Sequence, residues 1–469
     1  MNPKRSLVLL FAFALCFSLA SQAQSVPDAQ LWLTSADQPV PFVQQTAPLH
    51  FTAPDAKLPT IEVNDKQKFQ SIEGFGFALT GGSAQLLTKM SPAARATLLK
   101  KIFSTDGDGI GVSYLRVSIG SSDMNDHVFS YDDLAAGETD PKLAKFNLGP
   151  DLVDVIPMLK EILAINPNIP ILGSPWSAPA WMKTNGKVKG GELKPDCYGA
   201  YADYLVKYIE SMKAQGITIH AITVENEPLN PKNTPSMVMF ADQQDRFIAK
   251  YLGPDFAKAG IKTQIQLYDH NPDVASFPLS ILKDPEASKY VAGTAFHLYG
   301  GDSRTLTEVH NAFPDKGLYL TEQSITAWPG DEGINIAEPV SRVLIGATRN
   351  WGHNVLIWNL AADPKFGPHT NDGGCGMCAG AVTLDGDNAK FNVAYFGLAH
   401  FSKFVRPGAV RIASNEMEQL QTVAFLNSDG KVVLVLANIG NFAKPIQISY
   451  HGKSLKVSVP SESVETYVW

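Results

Sequence analysis

Eight short runs of β-branched and apolar residues recur between Gly74 and Trp358, with longer stretches of helical periodicity between them. This alternation constrains the fold more than any other feature of the chain. The runs are Gly74–Thr80, Val112–Gly120, Ile169–Ser174, Ile219–Val224, Thr263–Tyr268, Gly293–Leu298, Leu318–Thr321 and Val355–Trp358. Ser91 as N-cap and Pro92 at the first helical position open a helix running to Phe103. The spacing predicts further helices over Leu152–Ile165, Tyr198–Gln215, Gln243–Gly260, Leu279–Tyr290, Arg304–Phe313, Ile336–Arg349 and Phe391–Val405. Eight strand and helix units fit a closed (β/α)8 TIM barrel better than an open sheet, in which the number of strands is not fixed. No sequence repeat of fixed period is present, which excludes a solenoid.

The two ends of the chain have a different texture. Val423–Leu426, Val432–Asn438, Pro445–Ser449, Leu455–Val459 and Glu465–Trp469 alternate apolar and polar residues around tight turns such as Ser428-Asp429-Gly430. Alone they make a small sandwich. Weakly alternating strands between Ala29 and Val63 could complete it, giving an α/β protein whose barrel carries a β-sandwich built from both chain ends. The expected organisation is a leader over 1–23, N-terminal sandwich strands over 24–65, the barrel over 66–405 and the C-terminal sandwich over 406–469. The leader rests on Lys4 and Arg5, the apolar run Leu7–Ala20 and the small residues of Ser21-Gln22-Ala23, with cleavage expected after Ala23. The run is too short for a stable membrane span, so export to the periplasm or beyond is expected, with no transmembrane segment after processing. Three cysteines then remain. Cys375 and Cys378 sit in the glycine-rich GGCGMCAG, where an oxidising compartment favours a local disulfide over a zinc half-site lacking its second pair. Cys197 is left over.

A net charge of −7 without a basic block argues against nucleic acid or an anionic membrane as partner. No histidine pair or triple has metal-ligand spacing, no Gly-x-Ser-x-Gly elbow appears, and Thr80-Gly81-Gly82-Ser83 lacks the lysine of a phosphate loop. No metal and no cofactor are expected.

In a (β/α)8 barrel the chemistry collects at the C-terminal ends of the strands. Reading those ends gives Arg116 and Asp123, then Trp176 and Trp181, Asn226 and Glu227, Asp269 and His270, His297 and Tyr299, Glu322, and Trp358 with Asn359. Any one has an ordinary structural explanation: a salt bridge, a core tryptophan, a satisfied histidine. Carboxylates, amides and aromatics at nearly every strand end are harder to place that way. Glu227 on strand four and Glu322 on strand seven lie nearly opposite each other. Two facing carboxylates can protonate a leaving oxygen and attack, or activate water, which is the equipment of glycoside hydrolysis.

The stretches GFGFALTGGSA (74–84), LRVSIGSSD (115–123), GSPWSAPAWMKTNG (173–186), TVENEP (223–228), LYDHN (267–271), FHLYGGD (296–302), LTEQS (320–324), IWNLAAD (357–363) and FGLAHFSKFV (396–405) resemble glycoside hydrolase family 30 in order and from end to end of the barrel. That family includes lysosomal glucosylceramidase and bacterial and fungal β-1,6-glucanases. The resemblance implies a retaining double displacement on β-linked sugars, with Glu227 as acid/base of raised pKa and Glu322 as ionised nucleophile. It also implies that Arg116, Asp123, Trp176, Asn226, Tyr299 and Trp358 line the sugar subsite, beside His297 from the strand-end reading. Glu225 shares strand parity with Glu227 and is expected behind it, and Trp328 is a further aromatic platform. The expected partner is a β-linked glucoside, oligosaccharide or glycolipid. A β-xylosidase of the same family and a non-catalytic carbohydrate-binding protein on the same barrel are the alternative readings.

Overall fold

The computed structural model describes residues 28–35, 41–325 and 336–469; the expected leader and Trp328 fall outside the described residues. Three strands come first: β1 (Gln30–Ser35), β2 (Val43–Gln44) and β3 (Thr60–Ser71). Then follow β4 (Gly74–Ala78), β5 (Tyr114–Ile119), β6 (Ile171–Pro175), β7 (Ala221–Thr223), β8 (Gln264–His270), β9 (Val291–His297), β10 (Gly317–Glu322) and β11 (Gly352–Ile357). These eight pair in parallel, and β11 returns to β4, closing the barrel. All eight apolar runs are therefore barrel strands, displaced by a few residues at their ends.

The helices between them cover the outer face. Helix Val155–Ile165 buries Val155, Ile156, Met158, Leu159 and Ile162, each such side chain stabilising the fold by about 1.5–3 kcal/mol. The expected helix Gln243–Gly260 is found as Ala241–Phe247 and Gly253–Ala259, joined by a widened turn over Ile248–Leu252. Pro254 has no N–H to give to a regular ladder, and the wide turn absorbs that defect. Helix Gly81–Lys89 has no counterpart among the expected elements, because two glycines at its start read as loop. Thr80 caps it by accepting the Ser83 N–H, and a Cβ on Gly82 would stand 2.7 Å from the Met124 carbonyl oxygen.

Beyond the barrel lie β12 (Ala361–Ala362), β13 (Val382–Asp385) and β14 (Asn388–Phe391), a small sheet that the sequence reading did not separate from loop. The last strands are β15 (Val410–Ser414), β16 (Leu420–Leu426), β17 (Val432–Asn438), β18 (Lys444–Tyr450), β19 (Lys453–Val459) and β20 (Ser463–Val468). With the N-terminal strands they form one hydrogen-bonded order, β19-β18-β3-β15-β16-β17-β20-β1-β2. Its interior includes Ile61, Val63, Ile412, Leu434, Leu436, Ile446, Ile448 and Tyr467. Strand β3 runs on to Ser71, past the expected boundary at residue 65. Its polar middle, Asn64 to Lys68, is largely exposed and reads as loop; the register against β15 slips there, from Asn64 opposite Ala413 to Lys68 opposite Ile412. The sandwich is tied to the barrel by His400, whose ring nitrogens bond Thr34 and Thr466, and by Gln70, which bonds the Thr348 and Gly352 carbonyls. Among the described residues no helix is long and apolar enough to cross a membrane.

Candidate active site

Inside the barrel Tyr114, Leu172, Ala221 and Leu356 meet in one apolar layer, from β5, β6, β7 and β11. Side chains alternate in direction along a strand, so two residues later the same inward face carries Arg116, Ser174, Thr223 and Trp358. The polar site is thus built directly on top of an apolar plug. Arg116 is fully buried and donates to Glu322 Oε2, to Asn226 Oδ1 at 2.7 Å, to Asp269 Oδ2 at 3.0 Å and to Ser174 Oγ at 3.2 Å.

Strand β8 breaks the parity rule. Tyr268 and Asp269 adopt positive φ, 75° and 65°, and the register against β9 slips between Tyr268 and His270. This bulge turns Asp269 inward, where it accepts from Thr223 Oγ1 at 2.8 Å, Ser174 Oγ at 3.1 Å and Thr321 Oγ1 at 2.5 Å. Burial works against its charge, but Arg116 and His297 outweigh that and hold its carboxyl far below the usual range. Glu227 leaves the strand in a left-handed conformation, φ 50°, with its N–H bonded to the Asp269 carbonyl at 3.0 Å. Strand β7 has ended at Thr223, so parity does not carry Glu225 along with it. Glu225 is wholly buried outside the cavity, and burial raises its carboxyl well above the ordinary value.

Over these strand ends opens a cavity of about 990 Å³. Asp123, Trp176, Glu227, Tyr299, Glu322 and Trp358 line it, whereas Arg116, Asn226 and His297 lie beneath its floor. The structure brings all the expected site residues together, but Arg116 and His297 touch the carboxylates instead of the open space, and Asn226 touches Arg116. Trp181 belongs elsewhere, donating from Nε1 to Asp132 at 2.9 Å. Trp176 and Trp358 lean on each other with ring centroids 5.5 Å apart, and Trp176 Nε1 is buried without a partner. A disulfide between Cys375 and Cys378 packs beside these two rings, while Cys197 is free and buried.

The two glutamates are held differently. Glu322 Oε1 accepts from the Tyr299 hydroxyl at 3.0 Å while Arg116 takes Oε2. Glu227 Oε2 accepts from Asn230 Nδ2 at 2.7 Å and Asn233 Nδ2 at 3.2 Å, and Oε1 meets His297 Nδ1 at 3.1 Å. These asparagines, with Asp269 and His270, complete the site. Asn230 and Asn233 lie in the loop past Pro228, where no strand-end rule finds them. His297 Nδ1 also stands 3.7 Å from Glu322 Oε1, and its Nε2 stands 3.2 Å from Asp269. Burial opposes its charge, but Glu322 and Asp269 push the imidazole up to about 10. Burial alone would raise Glu227, yet the hydrogen bond and charge of His297 hold it at about 2. Burial raises Glu322 against the pull of His297 and Arg116. The free site therefore reverses the expected order, in which Glu227 carries the raised value: its proton rests on His297. Asp123 is pushed up to about 8 by burial, then by the charges of Glu322 and Glu227, and is a neutral acid at pH 7.

Residues 72–405 match the model of the glycosyl hydrolase family 30 TIM-barrel domain, and residues 408–467 that of the family 30 beta sandwich domain. The chain is 34% identical over 435 residues to an endo-1,6-β-D-glucanase of Aspergillus fumigatus, covering 87% of each protein. It is 30% identical over 439 residues to the lysosomal acid glucosylceramidase of Mus musculus, covering 87% of this chain and 83% of that one. A solved endo-β1,6-glucanase matches with a TM-score of 0.87 at 35% identity, covering 94% of this chain and 99% of the other.

Proposed function

The chain belongs to glycosyl hydrolase family 30 and is a glycoside hydrolase, and from that premise we propose a secreted, retaining β-1,6-glucanase with Glu227 as acid/base and Glu322 as nucleophile. The observation that carries the reading is the single imidazole nitrogen of His297 touching both carboxylates, at 3.1 and 3.7 Å. The separation of the two Oε1 atoms cannot exceed the sum of those contacts, which reaches only the lower edge of the inverting range, about 6.5–9.5 Å. Double displacement fits that spacing. Glu322, fixed at one oxygen by Tyr299 and at the other by Arg116, attacks the anomeric carbon. The bond to the leaving sugar breaks, and its oxygen takes a proton from Glu227. Water, deprotonated by Glu227, then attacks the glycosyl-enzyme and releases a β-configured product.

The proton that the first step needs is stored one contact away, on His297, so Glu227 and His297 act as one store. The neutral Asp123 carboxyl offers a donor to a sugar hydroxyl. The linkage preference rests on the glucanase relatives at 34–35% identity. Export rests on the N-terminal basic and apolar pattern, together with a disulfide suited to an oxidising compartment. The test is a substrate panel followed by proton NMR: β-1,6-glucan, aryl β-glucoside, aryl β-xyloside and glucosylceramide in detergent. The reading expects β-1,6-glucan to be the preferred substrate and the first product to be the β anomer. A faster reaction on glucosylceramide or xyloside refutes the substrate, and a first-formed α anomer refutes retention.

A further inference from the structure

Three potential metal ligands converge on one point at the cavity floor. Glu227, His270 and His297 each bring one ligand atom to within 4.8 Å of the other two. Glu227 Oε1 is 3.1 Å from the His297 nitrogen and 3.8 Å from that of His270.

Two details point to a ligand rather than to chance grouping. His270 Nδ1 is shielded from solvent and makes no hydrogen bond. A buried polar atom left unsatisfied is destabilising, and a metal taking that lone pair would satisfy it. His297 is already oriented as metal-binding imidazoles are. Its far nitrogen faces Asp269 Oδ1 at 3.2 Å, the carboxylate–histidine arrangement of metal sites, so an ion that displaces the proton stored on His297 finds the Nδ1 lone pair aimed at Glu227. Asp269 is itself held by Thr321, Thr223, Ser174 and Arg116. Two imidazole nitrogens and one carboxylate oxygen suit zinc with an open fourth position, whereas calcium and magnesium ask for oxygen ligands.

We propose that Glu227, His270 and His297 bind Zn²⁺ or a similar first-row divalent ion, and that the ion competes with substrate instead of assisting it. The ion occupies the oxygen through which Glu227 handles its proton, so the loaded enzyme cannot protonate a leaving group. The inhibition rests on the reading of Glu227 as acid/base; the binding does not.

The test uses the full chain, stripped with a chelator and dialysed. Zn²⁺ is titrated calorimetrically, and Co²⁺ is followed by its visible d–d bands. The wild type takes up one ion with the spectrum of four-coordinate cobalt, and His270→Ala binds at least about tenfold more weakly. His270→Asn keeps a polar side chain of similar size and repeats the comparison should the alanine variant not fold. In wild-type assays Zn²⁺ raises the apparent KM for an aryl β-glucoside, and the chelator reverses it. Absence of saturable uptake overturns the site. So does equal affinity in the His270 variants, which would place the ion on exposed pairs such as His127–Asp126 or His451–Asp65. Uptake that depends on His270 but leaves KM unchanged supports the site and overturns the competition.

Discussion

Glu227 and Glu322 are chemically the same side chain, and what separates their roles is what each touches. Glu322 has one oxygen on a guanidinium and the other on a phenol, donors that hold a carboxylate rigid for attack. Glu227 has two asparagine amides on one oxygen and an imidazole that can carry a proton on the other. Glu227→Ala is therefore expected to keep glycosylation on an aryl glucoside whose leaving group needs no proton. Deglycosylation should fall by about 10²–10⁴-fold, the usual worth of general acid–base help. Added azide should restore turnover and give the β-glycosyl azide; an α-azide would reverse the roles, and rescue in Glu225→Ala instead would place the acid/base on that residue. Most of the expected site residues were legible because barrel strands deliver residues at fixed parity. Asp269 and His270 could be named at a strand end, but not aimed: two positive-φ residues in β8 turn Asp269 inward, and no local pattern announces them. Nor could sequence spacing group Glu227, His270 and His297, which lie on separate strand ends.

At the scale of elements, the sequence shows periodicity and hides pairing. The eight barrel strands were visible because each is a compact apolar run. Strand β3 was visible only to about Val63, since beyond it the register against β15 slips and Lys66, Gln67 and Lys68 are exposed. Helix Gly81–Lys89 was hidden by its two glycines. Strand β3 sits between β18 and β15, not at an edge, and β1 pairs with β20 along six residues. Deleting residues 28–71 should expose the edges of β15, β18 and β20 and the apolar interior behind them. The expected result, read by size-exclusion chromatography and thermal melting, is aggregation without a cooperative transition. A soluble truncated protein that melts cooperatively would show that the barrel does not need these strands.

At the scale of the whole molecule, sandwich and barrel share one chain path and a buried polar seam, so events in the sandwich should register in global stability. Glu465, fully buried there and bonded by the Tyr467 hydroxyl, is raised by burial to about 7. Between the ordinary value of 4.5 and about 7 the folded protein keeps a proton that the unfolded chain has released. This contribution to stability is thus present in full below pH 4.5 and lost as pH rises toward 7. Glu465→Gln removes the titration, so its stability relative to wild type should grow by about 3 kcal/mol between pH 4.5 and pH 8. Denaturant melts at a series of pH values measure this, and a pH-independent difference would contradict it. The covalent step at Glu322 is read most directly by trapping its intermediate. A 2-deoxy-2-fluoro-β-glucosyl fluoride slows both steps and lets the glycosyl-enzyme accumulate, so intact-mass spectrometry followed by peptide mapping locates the ester. One fluoroglucosyl group per chain is expected, on Glu322, with activity returning as the ester turns over. A label on Glu227 or Glu225, or substrate consumed without any covalent intermediate, would contradict it.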